Sequence, residues 1–217
     1  MSPSAAGVAA RREAARRSGP RRPAARRRRS LLTLCGLGLL VLIVVALAPD
    51  LKKAVRDFTL PLAYQDVIRE QAADKHLDPA LIAAVIYAET KFDPRPSSVG
   101  AEGLMQIMPQ TAKFLAHRSG ATTFTTADLG TPQVNIAYGS YYLRFLLDHY
   151  GQSKLMAIAA YNGGEANVDR WVASAHADRH RFSLGDIPFP ETRAYVQKVL
   201  TAQGAYRRKY RTELGYR

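Results

Sequence analysis

The 217-residue sequence predicts an all-α domain preceded by one transmembrane helix. Apolar residues recur at helical spacing almost throughout from Leu62 onward, with no sustained two-residue alternation that would mark a sheet. Capping residues followed by proline, Asp78-Pro79 and Thr131-Pro132, open two of these periodic runs in the manner of helix N-termini. An uncharged run rich in leucine, valine and isoleucine lies ahead of them. A hydrophobic content of 47% is ordinary for a chain that folds around one core.

Residues 1–30 hold ten arginines against a single acid, Glu13, so that of the formal charge of +13 only +4 is left for the rest of the chain. The segment has no apolar periodicity and is expected to be a disordered, Arg-rich cytoplasmic tail. A solvated tail that fixes topology accounts for the charge, and no nucleic-acid partner is expected. Residues 31–48, LLTLCGLGLLVLIVVALA, carry no charge and at ~1.5 Å rise per residue would cross most of a bilayer's hydrocarbon core. Arginines on the N-terminal flank orient this anchor with its N-terminus in the cytoplasm. The predicted location is therefore the cell membrane, single-pass, with the following domain extracytoplasmic. Ala46-Leu47-Ala48 has the form of a cleavage site and offers a cleaved signal peptide as the alternative; Pro49 directly after it, and the length of the run, favour the anchor. Cys35 lies inside the run behind the bulky Leu34, which argues against a lipoprotein. As the only cysteine, it leaves the remaining domain without a disulfide, a thiolate nucleophile or a zinc knuckle. Residues 49–61 form a short stalk that, at ~3.5 Å per residue, keeps the domain at 62–217 within about 45 Å of the membrane.

Within that domain, helices are expected near 64–76, from Pro79 to before Pro94, near 109–117, from Pro132 to near Gly151, and near 154–161, 165–174 and 191–210. In the second of these, Ile82, Val85, Ile86, Glu89 and Phe92 share one stripe. A carboxylate on an apolar stripe is costly if it stays ionised and unpaired. Glu89 also sits in the last turn, where the negative end of the helix macrodipole opposes a second negative charge. Both effects raise its pKa and favour the neutral, proton-donating form that general-acid catalysis requires. Periodicity alone leaves open a structural alternative, in which Glu89 sits at the rim and pairs with Lys91 or a tyrosine hydroxyl of the long helix. In that long helix Val134, Tyr138, Tyr141 and Phe145 form a stripe. After Pro94, the glycines of SSVGA and GLMQIMP place a non-helical segment amid apolar residues, of the kind that lets backbone approach a ligand closely.

The runs AETKFDPRPSSVGAEGLMQIMPQTA, AIAAYNGGEANVDRW and IPFPETRAYVQKVL resemble, in order, the three signature blocks of the family 1 soluble lytic transglycosylases (SLT domain). The resemblance extends from about residue 62 to 211. It implies a lysozyme-like, mostly helical lobe with a groove for glycan strands, and it places Glu89 at the catalytic position. Thr90, where the family more often has serine, keeps a hydroxyl. Ser97 or Ser98 matches the substrate-contacting serine, Ser97 fitting S-x-x-G-A better. Gln106 matches the glutamine that lines the groove and contacts sugar, while Met105 and Met108 pack beneath the loop. Tyr161 and Asn162 match the pair that faces the catalytic glutamate and the acetamido sugar. Glu191 matches a residue that orients site groups through hydrogen bonds, with Arg193 and Tyr195 in structural support.

The implied activity is cleavage of the β-1,4 bond between N-acetylmuramic acid and N-acetylglucosamine in peptidoglycan, leaving 1,6-anhydromuramoyl ends. One glutamate serves as acid and then as base. A hydrolase by either standard geometry needs two carboxylates. Asp93 faces the Pro94 turn and Glu102 lies in the glycine-rich loop, so neither is an obvious second. A hydrolytic muramidase on the same fold and a non-catalytic glycan-binding scaffold are the alternatives. No cofactor and no metal are expected. His176-x-x-x-His180 has helical metal spacing, but Asp178 is not the glutamate of H-E-x-x-H and the surroundings read as a solvated loop. The C-terminal cluster Arg207, Arg208, Lys209 and Arg211 reads as a solvated helix face. Expected partners are peptidoglycan glycan strands and, through the N-terminal helix, the membrane; protein partners are not legible.

Overall fold

The structure is a computed structural model, and it describes residues 60–95 and 97–216, which fall in one compact unit. These residues form helices α1 (Gln65–Asp74), α2 (Pro79–Glu89), α3 (Pro109–Ser119), α4 (Pro132–His149), α5 (Lys154–Gly163), α6 (Glu165–Ala177) and α7 (Pro190–Lys209). Two 3-10 turns, Thr126–Gly130 and Leu184–Asp186, sit between them. The described residues contain no strand beyond an isolated antiparallel bridge between Glu102 and Ile107. The fold class is all-α, as expected.

Helix α2 is the centre of the domain. Asp78 caps it by accepting the Ala80 N–H at 3.0 Å, and Pro79 occupies the first helical position, where a missing N–H costs nothing. It has no polar face: every residue from Ala80 to Ile86 is at most 1% exposed. Burial of Leu81, Ile82, Val85 and Ile86 contributes about 1.5–3 kcal/mol each relative to exposure, which makes this helix the main apolar contribution to the core. α7 runs antiparallel along it and is its principal partner, with α1 on another side. Polar links join the two helices at both ends. At the start of α2, Gln203 and Arg207 donate to the Asp78 carboxylate; at its end, Lys198 donates to the Ala88 carbonyl at 2.7 Å and Tyr195 to Glu89. Burial draws the Asp78 carboxyl upward, but bonds from Tyr216, Gln203 and the Ala80 N–H, with the Arg207 charge, hold it below its ordinary value. Arg207 thus lies on the solvated face expected from the sequence and from there also clamps the start of α2.

Helix α4 buries Asn135, Ile136, Gly139, Ser140, Leu143, Leu146 and Leu147. The stripe read from the sequence is displaced from this face: Val134, Tyr138, Tyr141 and Phe145 are half-buried. Rings on that side pack on one another instead, as in the stacked pair Phe124 and Tyr138 at 4.4 Å.

One expectation is corrected. Among the described residues no helix is long and apolar enough to cross a membrane. The two longest show why: α7 carries Glu191, Arg193, Lys198, Arg207, Arg208 and Lys209, and α4 carries Arg144 and Asp148. The predicted tail at 1–30 and anchor at 31–48 lie outside the described residues, as does the stalk up to residue 59. The described fold is therefore all-α without a transmembrane helix, and no described residue supports the membrane as a partner or the single-pass, extracytoplasmic location.

Candidate active site

The site is built around the last turn of α2. Glu89 ends the helix, Thr90 caps it, and Lys91 and Phe92 then turn the chain sharply with φ of 52° and 62°. Such left-handed backbone at two successive non-glycine residues is uncommon and is maintained only where the surroundings enforce it. Here the Phe92 ring is fixed by Tyr206 at 6.2 Å, and the Thr90 hydroxyl donates to the Leu104 carbonyl at 2.7 Å. Thr90 is 2% exposed, so this bond ties the end of α2 to the following loop out of reach of water.

The Glu89 carboxylate accepts a hydrogen bond from the Tyr195 hydroxyl at 2.6 Å. Burial pushes the Glu89 carboxyl up from 4.5 to about 7, against the Tyr195 bond and the Lys198 charge, which both pull it down. No second carboxylate is among the described groups that shift it. The phenols of Tyr161 and Tyr195 are both held well above their ordinary value, first by burial and then by the charge of Glu89. Both therefore remain hydroxyl donors throughout the physiological range. Glu89, Tyr161 and Tyr195 are thus brought together, whereas the sequence assigned Tyr195 to structural support.

The loop 102–107 forms a second wall. Glu102 and Ile107 exchange backbone bonds at 3.0 Å, and between them Gly103 and Gln106 take φ of 73° and 49°. Side chains from two helices hold it: the Tyr161 hydroxyl donates to the Met105 carbonyl at 2.9 Å, and the Met105 N–H donates to Asn135 Oδ1 at 2.7 Å. Asn135 Nδ2 in turn donates to the carbonyls of Glu102 at 2.9 Å and Leu129 at 3.1 Å. Leu104 and Met105 are fully buried under the loop, and Met108 is half-buried. Gln106 uses its amide N–H groups on the carbonyls of Arg95 at 2.7 Å and Gly103 at 2.8 Å. A cavity of about 410 Å³ beside this loop is lined by Pro94, Arg95, Glu102, Gly103 and Gly130.

The remaining sequence-predicted residues divide. Ser97 accepts the Ala101 N–H at 2.8 Å and so shapes its own turn, while Ser98 is exposed. Asn162, next to Tyr161 near the end of α5, has its Oδ1 held by the Thr192 hydroxyl at 2.9 Å. Glu191 is exposed in the first turn of α7, at the rim of a cavity of about 380 Å³ shared with Asn162, Gly163, Phe189, Pro190 and Thr192. It makes no hydrogen bond to Glu89, whose carboxylate is oriented by Tyr195 instead. Asn135 and Lys198 were missed. Asn135 carried a signal, a polar residue on the same helical face as Ile136, Gly139 and Leu143. Away from the site, His180 pairs with Asp186 at 2.8 Å, and among the described residues no group of three or more His, Cys, Asp or Glu converges as a metal site would.

A helical domain that holds a protonatable glutamate at the end of its central helix, between two buried tyrosines and a tight glycine-containing loop, defines a lysozyme-like protein. The family model for the transglycosylase SLT domain matches residues 66–181, more than half of the chain, and the chain belongs to that family. It is 34% identical over 151 residues to the soluble lytic murein transglycosylase of Escherichia coli K12, covering 68% of this chain and 23% of that protein. The structure of the lytic transglycosylase Slt from Pseudomonas aeruginosa, an inactive glutamate-to-glutamine mutant, is similar with a TM-score of 0.63 and 32% identity. That match covers 69% of this chain and 25% of the other. The 70-kDa soluble lytic transglycosylase of Escherichia coli gives a TM-score of 0.64 and 32% identity over the same shares. The chain spans about a quarter of the length of these relatives.

Proposed function

We propose that the chain cleaves the glycan strands of peptidoglycan as a lytic transglycosylase, with Glu89 acting first as acid and then as base. The observation that carries this reading is a single carboxyl, raised to about 7 by burial, with no partner carboxylate among the described groups acting on it. A hydrolytic glycosidase needs a second carboxylate roughly 5 Å away if retaining or roughly 6.5–9.5 Å away if inverting. One carboxyl suffices when the nucleophile is the substrate's own hydroxyl. The names of the relatives and the inactivating glutamate exchange in one of them agree with this.

In this scheme the protonated Glu89 donates to the oxygen between muramic C1 and the glucosamine, the C1–O bond breaks, and the sugar leaves as an alcohol. The carboxylate so formed takes the proton of the muramic C6 hydroxyl as that oxygen bonds to C1, restoring the acid and closing the 1,6-anhydro ring without consuming water. Tyr195 keeps the carboxyl oriented through both halves. Gln106, with its N–H groups committed to the loop, offers Oε1 to a sugar hydroxyl. Asn162, with Oδ1 held by Thr192, offers its N–H groups to the acetamido carbonyl. Ser97 and Ser98 on the adjoining turn, Tyr161 beneath the ring and Glu191 at the rim complete the contacts.

Mass analysis of peptidoglycan digested by the purified protein tests the reaction: muropeptides lighter by one water than reducing-end species are expected, and reducing ends alone would make it a muramidase. The pH profile tests the acid. Only the protonated carboxyl starts a turnover, so the rate should fall about tenfold per pH unit above roughly 7. Because Lys198 pulls this pKa down, Lys198→Met should move the fall to higher pH. A bell with an acidic limb set by the enzyme, or a limb indifferent to that substitution, would contradict the single-carboxyl scheme.

A further inference from the structure

Phe189 is 46% exposed, which is unusual for a large apolar ring that stands between two prolines at the start of a long helix. Pro188 and Pro190 restrict the backbone on both sides, so the ring is presented in a fixed position with little entropy left to lose. Trp171 of α6 supports it edge-on, with ring centroids 5.1 Å apart at 83°. Phe189 borders the 380 Å³ cavity that also contains Asn162 and Glu191. Gly163 brings the two walls of that cavity together: a Cβ there would lie 3.2 Å from Thr192 and 3.3 Å from Trp171. On α7, Thr192 and Tyr195 are three residues apart and share a face, so the cavity opens about one helical turn, ~5 Å, from the tyrosine that holds Glu89.

A pyranose has an apolar face of C–H groups and a rim of hydroxyl and amide groups. An exposed aromatic ring beside an asparagine amide and a carboxylate fits both parts at once. Building on the glycan-cleaving reading above, we propose that Phe189 is a stacking platform for a sugar ring of the strand, a binding position adjoining the one held at Asn162. Trp171 backs the platform and fixes its tilt.

Trp171 is the only tryptophan, so its emission reports on this position directly. The probe is the hexamer of N-acetylglucosamine, titrated into full-length protein carrying Glu89→Gln so that nothing is cleaved. Trp171 emission should change on binding. Adding Phe189→Ala should weaken binding roughly 3- to 10-fold, the range expected for loss of one aromatic stacking contact. Phe189→Leu, which keeps an apolar side chain and the fold but has no aromatic face, should weaken it similarly, and Phe189→Trp should preserve it. Intact hexamer binding that is indifferent to all three substitutions would overturn the platform while leaving the glycan reading standing. So would weakening seen only with stem-bearing muropeptides, which would assign the surface to the peptide. A Glu89→Gln protein that binds no glycan would overturn both.

Discussion

Glu89→Gln should lower the cleavage rate by about three orders of magnitude, in the middle of the range for removal of a general acid, while leaving glycan binding in place. It should also make the protein more stable, and only above a certain pH. The wild-type carboxyl titrates near 7 in the folded protein, against an ordinary 4.5, because burial disfavours its charge. A group whose folded pKa is raised contributes fully to stability below its unfolded pKa and loses that contribution as pH rises through the folded value. Wild type should therefore lose up to about 3 kcal/mol of stability between pH 4.5 and pH 7, and stay at that lower level above it. Glutamine is neutral at every pH and its Oε1 can still accept the Tyr195 hydroxyl, so the variant should not show this loss. Urea unfolding of both proteins at pH 4 and pH 8 is the measurement. Equal stability at pH 4 and an advantage for the variant at pH 8 are expected. Equal stability at both, with activity lost, would place the carboxyl in contact with water and remove the basis for its raised pKa.

How far the site was legible follows from which residues leave a local mark. Helix starts did so: Asp78-Pro79 and Thr131-Pro132 mark α2 and α4 to the residue, through the Asp78 cap in the first and proline at the first helical position in both, which are local chemistry. Helix ends were less legible. α2 stops at Glu89 rather than just before Pro94, because Lys91 and Phe92 adopt left-handed backbone that only the packing of Phe92 on Tyr206 and the Thr90 bond enforce. Glu89 was singled out for lying on an apolar stripe, yet α2 has no stripe; it is apolar all round, and the carboxyl is half-buried because the whole helix is central. In α4 the apolar pattern pointed toward the tyrosines, whereas small residues such as Gly139 and Ser140 are buried and the large rings stay half outside. Size decides here. A Cβ at Gly139 would come within 2.9 Å of three atoms of the buried Met105 side chain, so only glycine lets α4 close over the loop. The links of Tyr195 and Lys198 to the end of α2 span more than a hundred residues of sequence, and no local pattern encodes a contact of that range.

Asn135 should be the residue on which the loop wall depends, and its loss should cost about 3 kcal/mol or more of stability together with most of the activity. It is fully buried and makes three hydrogen bonds, to the Met105 N–H and to the carbonyls of Glu102 and Leu129. Asn135→Ala takes their side-chain partner from the Met105 N–H and the Leu129 carbonyl, each costing about 1–3 kcal/mol where water cannot reach it, while the Glu102 carbonyl keeps the Ile107 N–H. Gly103→Ala should act through the same contact. The added Cβ would lie 2.1 Å from Asn135 Nδ2 and 2.6 Å from the Leu129 carbonyl, on backbone with φ of 73° that alanine resists. Since either change already displaces the staple, the double variant should be less destabilised than the two single losses added together, by an interaction of about 1 kcal/mol or more. Asn135→Asp separates the bonds from one another. It retains the acceptor for Met105 but turns a negative charge toward two carbonyls, so the defect should be severe at neutral pH. It should ease at low pH, where a protonated carboxyl can donate one bond. Urea unfolding at pH 4.5 and pH 7, with cleavage assays alongside, checks all four variants. Strict additivity of the Gly103 and Asn135 changes, or an aspartate defect independent of pH, would show that the loop is held by the burial of Leu104 and Met105 rather than by Asn135.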